Sequence, residues 1–212
     1  MTINAKVLNQ ILIDLKKFDK AELLIVSKNQ SRNDVQDLIS QGFKIFGENR
    51  VQEAKKKFDN INNLEKIKLH LIGPLQTNKV KDALKTFNTI QTIDRKKLID
   101  EIAKVSLSLE QRRTNSYFIQ VNIGSENQKA GVGQGDVGDL YRYAVNKGLN
   151  IIGLMCIPPI GPNSNIYFKE MNEIKNKLNP NLYLSMGMSN DYLVALNHKS
   201  NLIRVGSLIF NV

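Results

Sequence analysis

The sequence predicts an α/β fold built as one (β/α)8 barrel domain across residues 1–212. Three observations predict it. Short apolar runs of β type alternate with helical patterns at intervals of about 20 to 30 residues. Eight such runs occur, the number that closes a parallel barrel. Polar residues and glycines gather at the C-terminal end of every run, where barrels build their sites.

The elements follow in order. A helix within residues 1–20, from Val7 to Phe18, sets Leu8, Ile11, Leu12 and Leu15 on one side and is expected to pack on the barrel. Strands are expected at Leu23–Lys28, Lys44–Glu48, Lys68–Gly73, Thr89–Asp94, Tyr117–Ile123, Ile151–Ile157, Leu182–Met186 and Ile203–Ser207. Helices are expected at Asn33–Gln41, Arg50–Phe58, Asn78–Phe87, Arg95–Leu109, Asp136–Lys147, Asn165–Leu178 and Asp191–His198. Each carries apolar residues at helical spacing, as Leu98, Ile102 and Val105 do. Gly42 and Gly148 stand where helix C-caps need glycine. Pro158-Pro159 stops the sixth strand, and no linker or internal repeat divides the chain.

Composition narrows the function classes. At 212 residues, 42% hydrophobic and 24% charged, the chain is an ordinary globular sequence. Its single cysteine, Cys156, allows neither an intrachain disulfide nor a cysteine zinc site. His70 and His198 lack metal-ligand spacing. No signal core or membrane-spanning stretch is present, so a cytoplasmic location and no membrane partner are expected. The net charge of +10 invites a nucleic-acid reading. Yet Lys55-Lys56-Lys57 and Arg95-Lys96-Lys97 fall in helical patterns where a solvated face is expected, and no basic stretch is interleaved with aromatics. Nucleic acid is therefore not an expected partner. A basic surface still attracts phosphorylated small molecules.

The chemistry starts at Lys28, which ends the run Leu23-Leu24-Ile25-Val26. An amine held at the rim of an apolar core tends to lose its proton, and neutral lysine forms Schiff bases with carbonyl compounds. Two other strand ends suit phosphate. Gly187 precedes Ser189-Asn190-Asp191 at a helix start, and Gly206-Ser207 closes the eighth strand. Barrels often form phosphate sites from the loops after strands seven and eight. An aldehyde-reactive lysine opposite a phosphate cradle matches pyridoxal 5′-phosphate, PLP. A barrel aldolase using a bare lysine remains a rival, as does a PLP-dependent amino-acid racemase.

The motifs Val26-Ser27-Lys28, Phe46-Gly47-Glu48-Asn49-Arg50-Val51-Gln52-Glu53, His70-Leu71-Ile72-Gly73-Pro74-Leu75-Gln76-Thr77-Asn78-Lys79, Gly153-Leu154-Met155, Leu184-Ser185-Met186-Gly187-Met188-Ser189 and Arg204-Val205-Gly206-Ser207 occur in order. On these, the chain resembles the YggS/PROSC family of PLP homeostasis proteins, from about Leu23 to Phe210. The resemblance implies a barrel similar to the N-terminal domain of alanine racemase, without that enzyme's second domain. It implies PLP as a Schiff base on Lys28, Asn49 beside the cofactor, Ser189, Gly206 and Ser207 at the phosphate, and Arg204 facing the pyridine nitrogen. It also implies a homeostasis role, with PLP-dependent apoenzymes as partners. The chain departs from the family pattern at Leu69, Ser207 and Asn211. An arginine at the pyridine nitrogen disfavours its protonation and weakens the electron sink, so little or no turnover is expected. His70 is expected to be packed or hydrogen-bonded, Cys156 to be a core residue, and Glu48 to orient its neighbours. Without the second domain, a monomer is expected.

Overall fold

The computed structural model describes residues 3–59, 61, 63–126, 128–161 and 163–210. The strands are β1 (Glu22–Val26), β2 (Ile45–Glu48), β3 (Lys68–Leu71), β4 (Thr89–Ile93), β5 (Ser116–Asn122), β6 (Val132–Gly133), β7 (Ile151–Cys156), β8 (Tyr183–Ser185) and β9 (Leu202–Val205). Eight of them run β4-β3-β2-β1-β9-β8-β7-β5, and β5 pairs back to β4, closing the predicted barrel. Every pairing in the ring is parallel. The sequence pattern did not reveal β6. It adds two residues to the end of β5, with Val121 opposite Val132, too short for any periodic signal.

The helices are α1 (Ala5–Leu15), α2 (Arg32–Ser40), α3 (Val51–Phe58), α4 (Val80–Thr86), α5 (Lys96–Ser108), α6 (Val137–Asn146), α7 (Ser164–Leu178) and α8 (Tyr192–Asn197). Helix α1 starts earlier than its apolar pattern because the Asn4 side chain accepts the Val7 N–H at 3.2 Å and caps it. It buries Leu8, Ile11 and Leu15 in the cluster that also holds barrel residues such as Leu23 and Ile25. Gly42 follows α2 at φ +95°, with Gly42 N–H donating to Ile39 and Phe43 N–H to Leu38, a Schellman ending. Gly148 ends α6 in the same way, at φ +80°.

Strand parity sorts the side chains. Leu23, Ile25 and Phe46 face outward into the layer beneath the helices, where the Phe46 and Phe58 rings sit 6.2 Å apart. Leu24, Ile45 and Leu202 face inward and form a small apolar plug. Beside Phe118 and Met155 the interior also holds polar side chains, whereas barrel interiors are usually filled by branched apolar side chains. Buried polar groups must find partners, and these do. The Thr89 and Ser116 hydroxyls lie 2.8 Å apart. Ser185 Oγ donates to Gln91 Oε1 at 2.7 Å, and Gln91 Nε2 meets His70 Nδ1 at 2.8 Å. An amide nitrogen only donates, so Nδ1 accepts and the neutral ring carries its proton on Nε2. Burial, with some repulsion from Lys68, drives the His70 pKa down to about 3, which keeps the ring neutral.

Candidate functional site

A cavity of about 620 Å³ opens among the C-terminal ends of β1, β7, β8 and β9. Lys28, Ser189, Arg204, Gly206 and Ser207 all line it, so five of the six expected site residues meet there. Asn49 does not. It follows β2, half-buried, packed so closely under Gly73 that a side chain on that glycine would collide with the Asn49 backbone. The opposite wall is Pro158, Pro159, Ile160 and Gly161. The prolines that stop the strand in the sequence thus also shape the cavity.

Register aims Lys28 at this space. Leu24 pairs with Arg204, and Val26 and Lys28 share Leu24's inward parity. β1 ends at Val26, so Lys28 stands two residues beyond the strand. Lys28 is exposed rather than held against the apolar core, because the chain has already left the sheet. Any desolvation of its amine must come from whatever fills the cavity. Among the described residues the Lys28 side chain has no hydrogen-bond or ionic partner.

Arg204 is 3% exposed, and among the described residues it faces no carboxylate within ion-pair distance. Its Nη1 donates to the Ser185 carbonyl at 2.7 Å and to Ser185 Oγ at 3.0 Å, and its Nη2 donates to the Cys156 carbonyl at 2.8 Å. Burial pulls this guanidinium below its usual range, while the Cys156 and Asp191 groups pull it back up. With Arg204 as a pure donor, the whole chain Arg204–Ser185–Gln91–His70 runs in one direction. Ser185 and Gln91 carry no motif that marks them for this hydrogen-bonded chain in the sequence. The available signal was parity, since both are polar residues at inward-facing positions of buried strands.

The other end of the cavity is a pair of hydroxyls. Ser189 Oγ and Ser207 Oγ lie 3.0 Å apart on different loops. Gly187 adopts φ +93°, and the Asp191 carboxylate accepts the Met188 N–H at 2.6 Å, which folds this loop over the strand end. Gly206 lets β9 approach β1 closely, because a Cβ there would lie 2.8 Å from the Val26 carbonyl. The helix expected at Asp191 begins one residue later, and the Asp191 and Tyr192 N–H groups already bond to Met188. An anion here would therefore meet the hydroxyl pair rather than a free helix end.

Lys57 departs from its sequence expectation as well. It was expected on a solvated face with Lys55 and Lys56, which are exposed, but it is buried beside Glu48. The helical turn swings it to the sheet-facing side with Ala54 and Phe58. Cys156 is buried, and burial pushes its thiol up to about 12. No cluster of three or more metal-binding side chains occurs among the described residues. Asn211 lies outside them.

No family model matches the chain. Individual relatives do. It is 35% identical to the pyridoxal phosphate homeostasis protein of Aquifex aeolicus, over 90% of this chain and 86% of that one. It belongs to the family of pyridoxal phosphate homeostasis proteins. A relative of the same name in Schizosaccharomyces pombe is 33% identical over 95% of this chain and 84% of its own. Among solved structures, PipY of Synechococcus elongatus with PLP bound superposes with a TM-score of 0.81 at 28% identity, covering 95% of this chain and 99% of that one. The alanine racemase of Corynebacterium glutamicum shares the fold, with a TM-score of 0.68 at 16% identity, covering all of this chain and 62% of the enzyme. Family membership and fold thus agree with the resemblance carried by the motifs.

Proposed function

We propose that this protein binds pyridoxal 5′-phosphate through Lys28 and holds it reversibly, as a carrier in PLP homeostasis. One observation carries the reading: an unpartnered lysine amine and a two-hydroxyl cradle share a single cavity. The residues fit the cofactor. A volume of about 620 Å³ is ordinary for a small-molecule site. Bound PLP supplies an aldehyde that condenses with an amine, releasing water, and a ring that can accept electrons. Lys28 would be the attachment point, Ser189 and Ser207 the donors to phosphate, and Gly206 the gap that admits it. Asn49, just outside the cavity wall, would reach the cofactor from β2. The PLP-bound state of PipY supports the assignment by family.

Holding rather than turnover is supported by how the groups around the cavity are engaged. Arg204 keeps spare donors, because three of its five N–H groups are used by Ser185 and Cys156. A fixed cation of this kind opposes protonation of a pyridine nitrogen beside it. The Asp191 carboxylate is occupied by the Met188 N–H, and the Cys156 thiol is held protonated. The proposed carrier is monomeric, with PLP-dependent apoenzymes as recipients. Among the described residues no helix is long and apolar enough to cross a membrane.

The test is borohydride reduction of the PLP-loaded protein, followed by peptide mapping. The label is expected on Lys28. Lys28→Ala is expected to lose the covalent adduct and keep phosphate-dependent binding. A label elsewhere, or a protein that takes up no PLP, refutes the assignment. Lys28-dependent α-proton exchange of amino acids in deuterated solvent would establish turnover instead.

A further inference from the structure

The face of β1 opposite the cavity carries a buried cluster of charges. Ser27 and Glu48 are fully buried, and Lys57 of α3 is 7% exposed. Lys57 Nζ donates to the Ser27 carbonyl at 2.6 Å, to Glu48 Oε1 at 2.8 Å and to Glu53 Oε1 at 3.2 Å. Ser27 Oγ donates to the same Glu48 oxygen at 2.7 Å. Glu53 Oε1 in turn accepts the Asn29 N–H at 2.7 Å. The cluster therefore grips the two residues that flank Lys28 and leaves Lys28 itself untouched. Parity explains the division, since Ser27 faces outward to the helix layer while Lys28 faces the cavity.

A buried ion pair is a poor source of stability, because desolvation of both ions offsets their attraction. Lys57 could have reached solvent as Lys55 and Lys56 do, with little loss. Glu48 Oε2 is buried without a partner among the described residues, and burial raises this carboxyl against the lowering effect of Lys57. A cluster that only fastened α3 to the sheet would be served better by apolar packing. What these charges supply is fixed geometry. Asn29 is held at φ +62°, a left-handed conformation that costs energy and persists where neighbours enforce it.

We infer that Lys57, Glu48 and Glu53 are positioning residues for Lys28: a charged clamp behind the strand fixes the backbone on both sides of that lysine and so sets where its amine stands in the cavity. The inference rests on the reading of Lys28 as the PLP attachment point. A displacement of about 1 Å at a reacting atom costs up to about a hundredfold in rate. Releasing the clamp should therefore slow adduct formation while leaving the phosphate end alone.

The experiment compares Lys57→Met, Glu53→Ala and Glu53→Gln with the unaltered protein. The rate of adduct formation with PLP is followed by absorbance. Affinity for pyridoxine 5′-phosphate, which has the phosphate but no aldehyde, is measured by calorimetry. Exchange of the Asn29 amide is followed by NMR in ligand-free protein. Lys57→Met and Glu53→Ala are expected to slow adduct formation by about tenfold or more, with the analogue's affinity within about twofold of normal and faster Asn29 exchange. Glu53→Gln keeps an acceptor for Asn29 and should restore most of the rate. Should Lys57→Met fail to fold, Glu53→Ala alone decides, since it leaves the Lys57–Glu48 pair in place. Unchanged adduct rates in folded variants overturn the clamp, and so does an equal loss of affinity for the analogue. If the unaltered protein forms no adduct, the PLP reading fails, and unchanged Asn29 exchange in the variants then overturns the clamp by itself.

Discussion

His70 is buried as a neutral ring, and this makes a measurable demand on pH. Its pKa is about 3 in the folded protein against 6.5 in an exposed chain. Between those values the unfolded chain binds a proton that the folded protein refuses. Stability is therefore intact above the unfolded pKa and is lost as pH falls from 6.5 toward the folded value. Going from pH 7 to pH 4.5, the loss from this one ring is about 2.5 kcal/mol, at about 1.4 kcal/mol per pH unit below the unfolded pKa. At pH 4.5 the folded ring is still neutral, so the figure depends mainly on the unfolded pKa. The perturbation is His70→Asn, whose amide oxygen can accept from Gln91 as Nδ1 does but does not titrate. Urea unfolding is followed by far-ultraviolet circular dichroism at both pH values. Carboxylates such as Glu48 titrate in both proteins, so the difference between their losses isolates the ring. Wild type should lose about 2.5 kcal/mol more than the variant. Equal losses would show that His70 is not buried neutral, and the directed chain from Arg204 would fail with it.

Other consequences can be measured in the same preparations. Gln91→Leu strands the Ser185 hydroxyl proton and His70 Nδ1 inside the barrel. At about 1–3 kcal/mol per unsatisfied group, urea titration should show a clear loss of stability, and a neutral effect would contradict the network. Gly206→Ala places a Cβ 2.8 Å from the Val26 carbonyl, so β1 and β9 must separate. The cost should be about 1–3 kcal/mol, with faster PLP release on dialysis; a fully tolerated alanine would refute the close approach. Ser189→Ala combined with Ser207→Ala removes both hydroxyls of the cradle. Affinity for pyridoxine 5′-phosphate should fall by about a hundredfold or more, since each hydrogen bond to a charged group contributes about 1.5–3 kcal/mol net of water. Undiminished affinity would place the phosphate elsewhere.

The order of elements was legible because each strand is an apolar run and each helix has its own apolar spacing. Leu23 to Val26 reads as a buried strand without knowledge of its neighbours, and Gly42 and Gly148 mark helix ends by local backbone demands alone. The ordered motifs also named the family, and five of the six proposed site residues were on the cavity wall. What stayed hidden depends on rotation and distance. Helical spacing puts Lys57 on the face of Ala54 and Phe58, but only the docking of α3 on β1 and β2 brings its amine to Ser27 and Glu48.

The sequence by itself thus determined a parallel barrel, the strand end near which Lys28 stands, and the glycine and serine loops that follow the seventh and eighth predicted strands. Hydrophobic periodicity and turn chemistry act over a few residues, so they can be read from the chain. Tertiary structure alone decided that Lys28 stands exposed in a cavity, that Asn49 sits outside its wall, and that Arg204 connects through Ser185 and Gln91 to His70. It also decided that the residues flanking Lys28 are gripped from behind by charges from β2 and α3. These arrangements depend on contacts between residues far apart in the chain, which exist only once the barrel has closed.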